Sequence, residues 1–115
     1  MQWDAVVAVV RELRLKARVK PRGSPPPPEW TTFLIVPVPG YVESSGCGPV
    51  PFREVEWIEI DPVRVTERGR LLAPAVENLA GELLSRLTAL GLQAQGGEGA
   101  KVRVMAGEPN ARPAA

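Results

Sequence analysis

The sequence predicts an α+β domain: a mainly antiparallel sheet of about five strands with two helices on one face, in the order α-β-β-β-α-β-β. Three observations carry this. Residues 2–13 and 73–90 place apolar side chains three and four apart, the spacing of a helix stripe. Residues 13–20 instead alternate strictly between apolar and basic side chains, the period of a half-buried strand. Nine of the 13 prolines fall within residues 21–51, so the stiff connections are concentrated around one strand.

The elements follow in order. Trp3, Val6, Val10 and Leu13 form the first helical stripe, with Asp4 in the first turn and Arg11 and Arg14 near the end, each suited to the helix dipole. From Leu13 the pattern changes. Leu13, Leu15, Ala17 and Val19 point one way and Arg14, Lys16, Arg18 and Lys20 the other. Residues 21–29 carry five prolines, four of them consecutive, and read as stiff polyproline II. Thr31–Val38 reads as a mostly buried strand whose Pro37 and Pro39 put its end at a sheet edge. Residues 40–52 are rich in turn formers and read as a loop. Residues 53–60 read as the third strand. Its buried parity switches between Trp57 and Ile58, which implies a β-bulge there or burial on both faces, and Val63 and Val65 extend it. The second helix is predicted over 73–90, with Pro74 in its first turn and Val76, Leu79, Leu83, Leu87 and Leu90 in its stripe. Gly91 is placed as the left-handed residue after it. Leu92–Gln95 and Lys101–Met105 form a hairpin around Gly96-Gly97-Glu98-Gly99. The domain is read as residues 1–106, followed by a frayed tail at 107–115.

Composition excludes whole classes of chemistry. The chain has 115 residues, no histidine and one cysteine. Catalytic triads and dyads that use imidazole, histidine metal sites, cysteine-rich zinc sites and an internal disulfide framework are all removed. A single cysteine and no visible leader favour a cytoplasmic location, and no apolar run is long enough to cross a membrane. Arginine outnumbers lysine 11 to 3 and prolines crowd the loops, a composition that fits a GC-rich or thermophilic source. The net charge of +1 hides a segregation: six basic residues against one acidic over 11–22, and five acidic against one basic over 43–61.

That segregation supplies the candidate sites. Arg14, Lys16, Arg18 and Lys20 would stand about 7 Å apart along one strand face, a row able to track a phosphate backbone. The plainer reading is a solvated outer strand whose charges block edge aggregation. Glu54, Glu56, Glu59 and Asp61 form a carboxylate row that could hold a metal ion or act as acid and base. The simpler reading pairs these carboxylates across strands with the basic row, at roughly 0.2–1 kcal/mol per pair. Cys47, in Ser-Ser-Gly-Cys-Gly-Pro, has no histidine to activate it and Arg53 as its nearest cation in sequence, so it reads as a loop residue. Trp30 and Tyr41 border the stiff loops; they either pack on the prolines or anchor a partner.

The stretch Gly48-Pro-Val-Pro-Phe-Arg-Glu-Val-Glu-Trp-Ile-Glu-Ile-Asp61 resembles an uncharacterised family of small bacterial α+β proteins. Members carry a similar basic-Glu-aliphatic-Glu-Trp strand after a Gly- and Tyr-rich loop, start with a short helix and end with a helix and hairpin. The resemblance implies the fold. Some members have been suggested to act as toxin-immunity proteins. The motif is a strand signature and carries over no functional residue.

These observations make the expected function a small non-enzymatic binding or interaction protein, inhibitor- or immunity-like, without cofactor or metal. Its partner would be another protein or a second copy of itself, and no membrane. The binding residues would be Arg14, Lys16, Arg18, Lys20, Trp30 and Tyr41. The alternatives are a nucleic-acid-binding domain using the face Arg14–Lys20 and a metal-dependent hydrolase using the acidic strand.

Overall fold

A computed structural model describes residues 2–25, 27–96 and 100–106. The elements run α1 (Trp3–Leu13), β1 (Lys16–Pro21), β2 (Leu34–Ile35), β3 (Tyr41–Ser44), β4 (Cys47–Pro51), a 3-10 turn (Phe52–Glu54), β5 (Val55–Asp61), β6 (Val63–Thr66), β7 (Ala75–Asn78), α2 (Ala80–Ala89), β8 (Ala94–Gly96) and β9 (Val102–Met105).

The class is α+β with two helices and antiparallel pairing, but the single sheet of about five strands is replaced by three smaller ones. These are β1-β5-β9-β8, β2-β3-β4 and β6-β7. In the four-stranded sheet, Ala17 and Val19, then Val55, Ile58 and Ile60, then Val102 and Val104, face inward. They share one core with Trp3, Val6, Val7, Val9, Val10 and Leu13 of α1 and Leu83 and Leu87 of α2. Both helices thus cover the same side of this sheet. Leu34, Val42 and Val50 of the three-stranded sheet join the same core.

Strand β5 is buried on both faces between Trp57 and Ile60. The pairing shifts where Lys20 faces Trp57 but Pro21 faces Val55, so Glu56 is the extra residue of a bulge. The expected irregularity therefore lies one residue before Trp57 rather than after it. It turns Val55 inward and Trp57 outward, although both have odd numbers.

Both helices end in the same way. In α2, Gly91 takes φ 77°, its N–H donates to the Thr88 carbonyl and the Leu92 N–H donates to the Leu87 carbonyl. In α1 the corresponding residue is Arg14, at φ 55° and ψ 48°, with Arg14 N–H on the Arg11 carbonyl and Leu15 N–H on the Val10 carbonyl. The second pattern is a Schellman ending with arginine where glycine is the usual residue. Arg14 consequently precedes β1 and is not part of the strand row.

Three further expectations are corrected. The segment 40–52 is not an open loop: β3 and β4 form a hairpin turned by Gly46 at φ 80°. Pro49 and Pro51 are accommodated because β4 is an edge strand, where a missing donor costs no ladder bond. The strand expected over Thr31–Val38 shortens to Leu34–Ile35, while Thr31 forms an isolated bridge to Ala17 at the outer edge of β1. The helix expected over 73–90 begins only at Ala80. Residues Ala75–Asn78 are instead strand β7, paired with β6 through Val63↔Asn78, Arg64↔Glu77, Val65↔Val76 and Thr66↔Ala75. The Asn78 side chain accepts the Ala80 N–H at 3.0 Å and so marks the true helix start. Of the turn expected over Gly96–Gly99, Gly96 ends β8 and residues 97–99 lie outside the described residues, as does the frayed tail expected at 107–115.

The core makes a direct prediction. Leu87 is fully buried, whereas Leu84 is 42% exposed. Leu87→Ala is expected to cost about 2–5 kcal/mol and Leu84→Ala less than about 1 kcal/mol, read from urea denaturation midpoints.

Candidate functional site

Two features lie outside the core: the outer face of the four-stranded sheet, and the β6–β7 hairpin. On the outer face the basic and acidic strands are direct neighbours. Lys16 faces Asp61, Arg18 faces Glu59 and Lys20 faces Trp57, and on the other side of β5 Arg103 faces Glu59. Two ion pairs join the opposed segments, Arg18 to Glu59 and Lys20 to Glu56.

Glu59 is the centre of this face. Its side chain is completely buried, yet it points away from the apolar core. One carboxylate oxygen accepts from Arg18 Nε at 2.9 Å, and Arg18 Nη2 stands 2.9 Å from the same oxygen. The other accepts from Arg103 Nε at 3.0 Å and Nη2 at 2.6 Å. Each oxygen thus accepts from one guanidinium through two nitrogens, and every one of these bonds is charge-assisted. The arginines are in turn covered by aromatic rings. The Arg103 guanidinium lies 4.3 Å from the Trp57 ring centre, and that of Arg18 lies 4.7 Å from Trp30. The proline-rich segment closes over this side, where the Pro27 carbonyl accepts from Arg18 Nη1 at 3.4 Å.

The six residues singled out by sequence therefore separate. Arg18 is engaged by Glu59, and Lys20 by Glu56. Trp30 is half-buried and stacks on Arg18, with Lys101 Nζ 5.6 Å from its ring centre. Tyr41 opens β3 opposite Pro51 and is exposed. Arg14 and Lys16 make no ion pair with any described residue. The acidic row is likewise dispersed. Glu59 and Glu56 are paired as above, Asp61 Oδ2 is 3.9 Å from Lys101 Nζ, and no three acidic or cysteine side chains converge among the described residues. Burial pushes the Cys47 thiol above its ordinary value, which keeps it protonated and a weak nucleophile.

The second feature was not visible as a site in the sequence. Strands β6 and β7 pair only with each other, and every residue from 65 to 74 is exposed. Val65 and Val76 face one another on this arm at 57% and 66% exposure, and its loop carries Leu71 at 96% and Leu72 at 59%. Arg64 holds the arm to the body. It pairs with Glu77 at 2.8 Å and donates from Nη1 to the Leu13 carbonyl at 2.9 Å. The alternation of Val63 and Val65 was the available signal, but Val76 fitted a helical stripe equally well.

The sequence pattern of DUF6678, a family of unknown function, matches residues 39–106. The chain belongs to this family. The matched stretch takes in β3 to β9 and α2, and so includes Glu59, Trp57, Arg103 and the whole β6–β7 arm. Arg14, Lys16, Arg18, Lys20 and Trp30 lie outside it. No curated protein and no solved structure shows a significant match.

Two outcomes are expected on the outer face. Glu59→Gln leaves two largely buried guanidinium groups without their counter-charge, and should destabilise the fold by about 3–5 kcal/mol in denaturant titrations. Glu56 titrates below its ordinary value, chiefly because the Lys20 ammonium donates to its carboxylate. The unfolded chain then binds its proton first as pH falls, so the pair's contribution is present above the ordinary glutamate value and lost as pH falls through the lower folded value. Glu56→Gln should narrow the stability gap to wild type to nothing across that acid window, measured by urea titrations over a pH series.

Proposed function

We propose that this chain is a non-enzymatic protein-interaction module, inhibitor- or immunity-like, that docks through the β6–β7 arm. The observation that carries the reading is the arm's apolar surface: Val65, Leu71, Leu72 and Val76 are all at least half exposed on a hairpin that pairs with no other described strand. Large exposed apolar side chains gathered on one element mark contact surfaces, whereas scattered ones do not. A two-stranded hairpin is also marginal in water by itself, so a partner that covers its apolar face stabilises both.

The charges around the arm favour a different protein over a second copy. Arg14, Lys16 and Arg70 on the basic side and Glu67 on the acidic side make no ion pair with described residues, a cationic excess, and Arg68 donates to the Ala73 carbonyl. A two-fold contact through this region would bring the same cations face to face, while an acidic rim would neutralise them. Nucleic acid would match the cations but leave the four apolar side chains uncovered. It would also show affinity falling by roughly 0.9 log units per phosphate contact per log unit of salt.

The test uses the full chain as bait in a lysate of its source cells, beside the double variant Leu71→Ser/Leu72→Ser. These side chains are exposed, so melting should move little, within about ±0.5 kcal/mol each. Partner recovered with wild type should fall at least tenfold with the variant. Equal recovery with both proteins would sink the arm as the contact.

A further inference from the structure

The arm meets the body in a recess. A cavity of about 140 Å³ lies between Arg14 and Lys16, Thr32, Asp61, and Val63, Arg64 and Val65 of β6. Its charges do not balance. Arg64 is held by Glu77, and Asp61 accepts the Val63 N–H at 3.0 Å and has Lys101 Nζ 3.9 Å from its Oδ2. Arg14 and Lys16 make no ion pair with a described residue, although Asp61 stands opposite Lys16 in the strand register. Arg14 also occupies a left-handed backbone conformation, which among the described residues only Ala100 shares outside the glycines. The same helix ending in α2 uses Gly91, and an L-residue with a Cβ is disfavoured there. An unpaired arginine at a position where glycine would be more stable is a local cost, and such costs gather at binding sites.

We propose that Arg14, Lys16 and Thr32 form a receptor for a carboxylate side chain of the partner, beside Val63 and Val65, which cover apolar residues of the same acidic segment. This rests on the arm reading and names the partner's chemistry: an extended segment carrying both acidic and apolar side chains. The cavity is below the range of small-molecule sites, roughly 300–1,000 Å³, and suits one side-chain terminus. The Asp61 carboxylate in its wall repels a phosphate dianion more than a carboxylate. A second cavity, of about 360 Å³ and lined by Val10, Arg11, Arg14, Leu15 and Thr32, adjoins it across Arg14 and Thr32 and gives the segment a path to continue.

The experiment is an NMR titration of the full ¹⁵N-labelled chain with a blocked octapeptide of alternating Glu and Val. The Gln-Val octapeptide and tripolyphosphate serve as comparisons. Saturable shifts at Arg14, Lys16, Thr32 and Val65 with the Glu-Val peptide, at least tenfold weaker with Gln-Val and with tripolyphosphate, support the proposal. Arg14→Gly should weaken the Glu-Val peptide at least tenfold while raising Tm by a few degrees, so that loss of binding cannot be loss of fold. Arg14→Asn, which tolerates the left-handed backbone, should lose binding to the same extent. Equal binding of Glu-Val and Gln-Val peptides, tighter binding of tripolyphosphate, or unchanged binding by Arg14→Gly would each overturn the carboxylate site. If peptides shift Val65 and Val76 but leave Arg14 and Lys16 unmoved, the arm remains the contact and the receptor alone is rejected.

Discussion

The rest of the structure is arranged around one buried carboxylate. Glu59 is surrounded by protein in an interior strand of the main sheet, and its two oxygens are shared between an arginine from each neighbouring strand. Such an ion cluster is weak evidence for stability, because desolvation offsets much of the Coulomb attraction. It is better understood as a constraint on register. A slip of β5 by one residue would carry Glu59 into the apolar core and turn Ile58 and Ile60 outward, leaving both arginines unpaired. The bulge at Glu56 serves the same end by letting Val55 face the core while Trp57 covers the Arg103 guanidinium.

This constraint reaches beyond the sheet. Arg18, once held by Glu59, offers a flat cation on which Trp30 stacks and an N–H that Pro27 accepts. The proline-rich segment is thereby drawn over the outer face instead of standing away from it. The two charged segments that sum to a net charge near zero meet within one molecule, strand against strand, at Arg18–Glu59 and Lys20–Glu56. Arg14 and Lys16, at the mouth of a recess next to an apolar arm, stand outside these pairs. The proposed interaction surface follows from what the fold leaves unmatched.

The legible parts of the fold were those specified by short-range patterns. The stripe of α1, the alternation of β1, the glycine ending α2 at Gly91 and the strand at β5 each depend on neighbours within a few residues. The segment 75–78 was not legible, because Val76 fits a helical stripe through Leu79 and Leu83 as well as it fits a strand opposite Val65. Pairing with the upstream strand β6, Val76 against Val65, decided between them, supported by the Arg64–Glu77 bond. The hairpin at 41–51 was hidden for a different reason. Its prolines argue against a strand in general, but not against an edge strand, and edge position is a property of the assembled sheet. For the same reason Leu71 and Leu72 carried no signal: exposure of an apolar residue is invisible until its neighbours are placed.

By itself the sequence determined the α+β class, the absence of imidazole chemistry and the opposed charge of two segments, because composition and local periodicity do not depend on how distant elements meet. Only the tertiary structure decided that the basic and acidic strands are adjacent, that Glu59 is buried outside the apolar core, and that Arg14 stands apart from the row it seemed to begin. Each of these turns on which strand lies beside which and on a single left-handed residue at the end of a helix. Long-range pairing and backbone handedness settle such matters, and a list of residue types does not contain them.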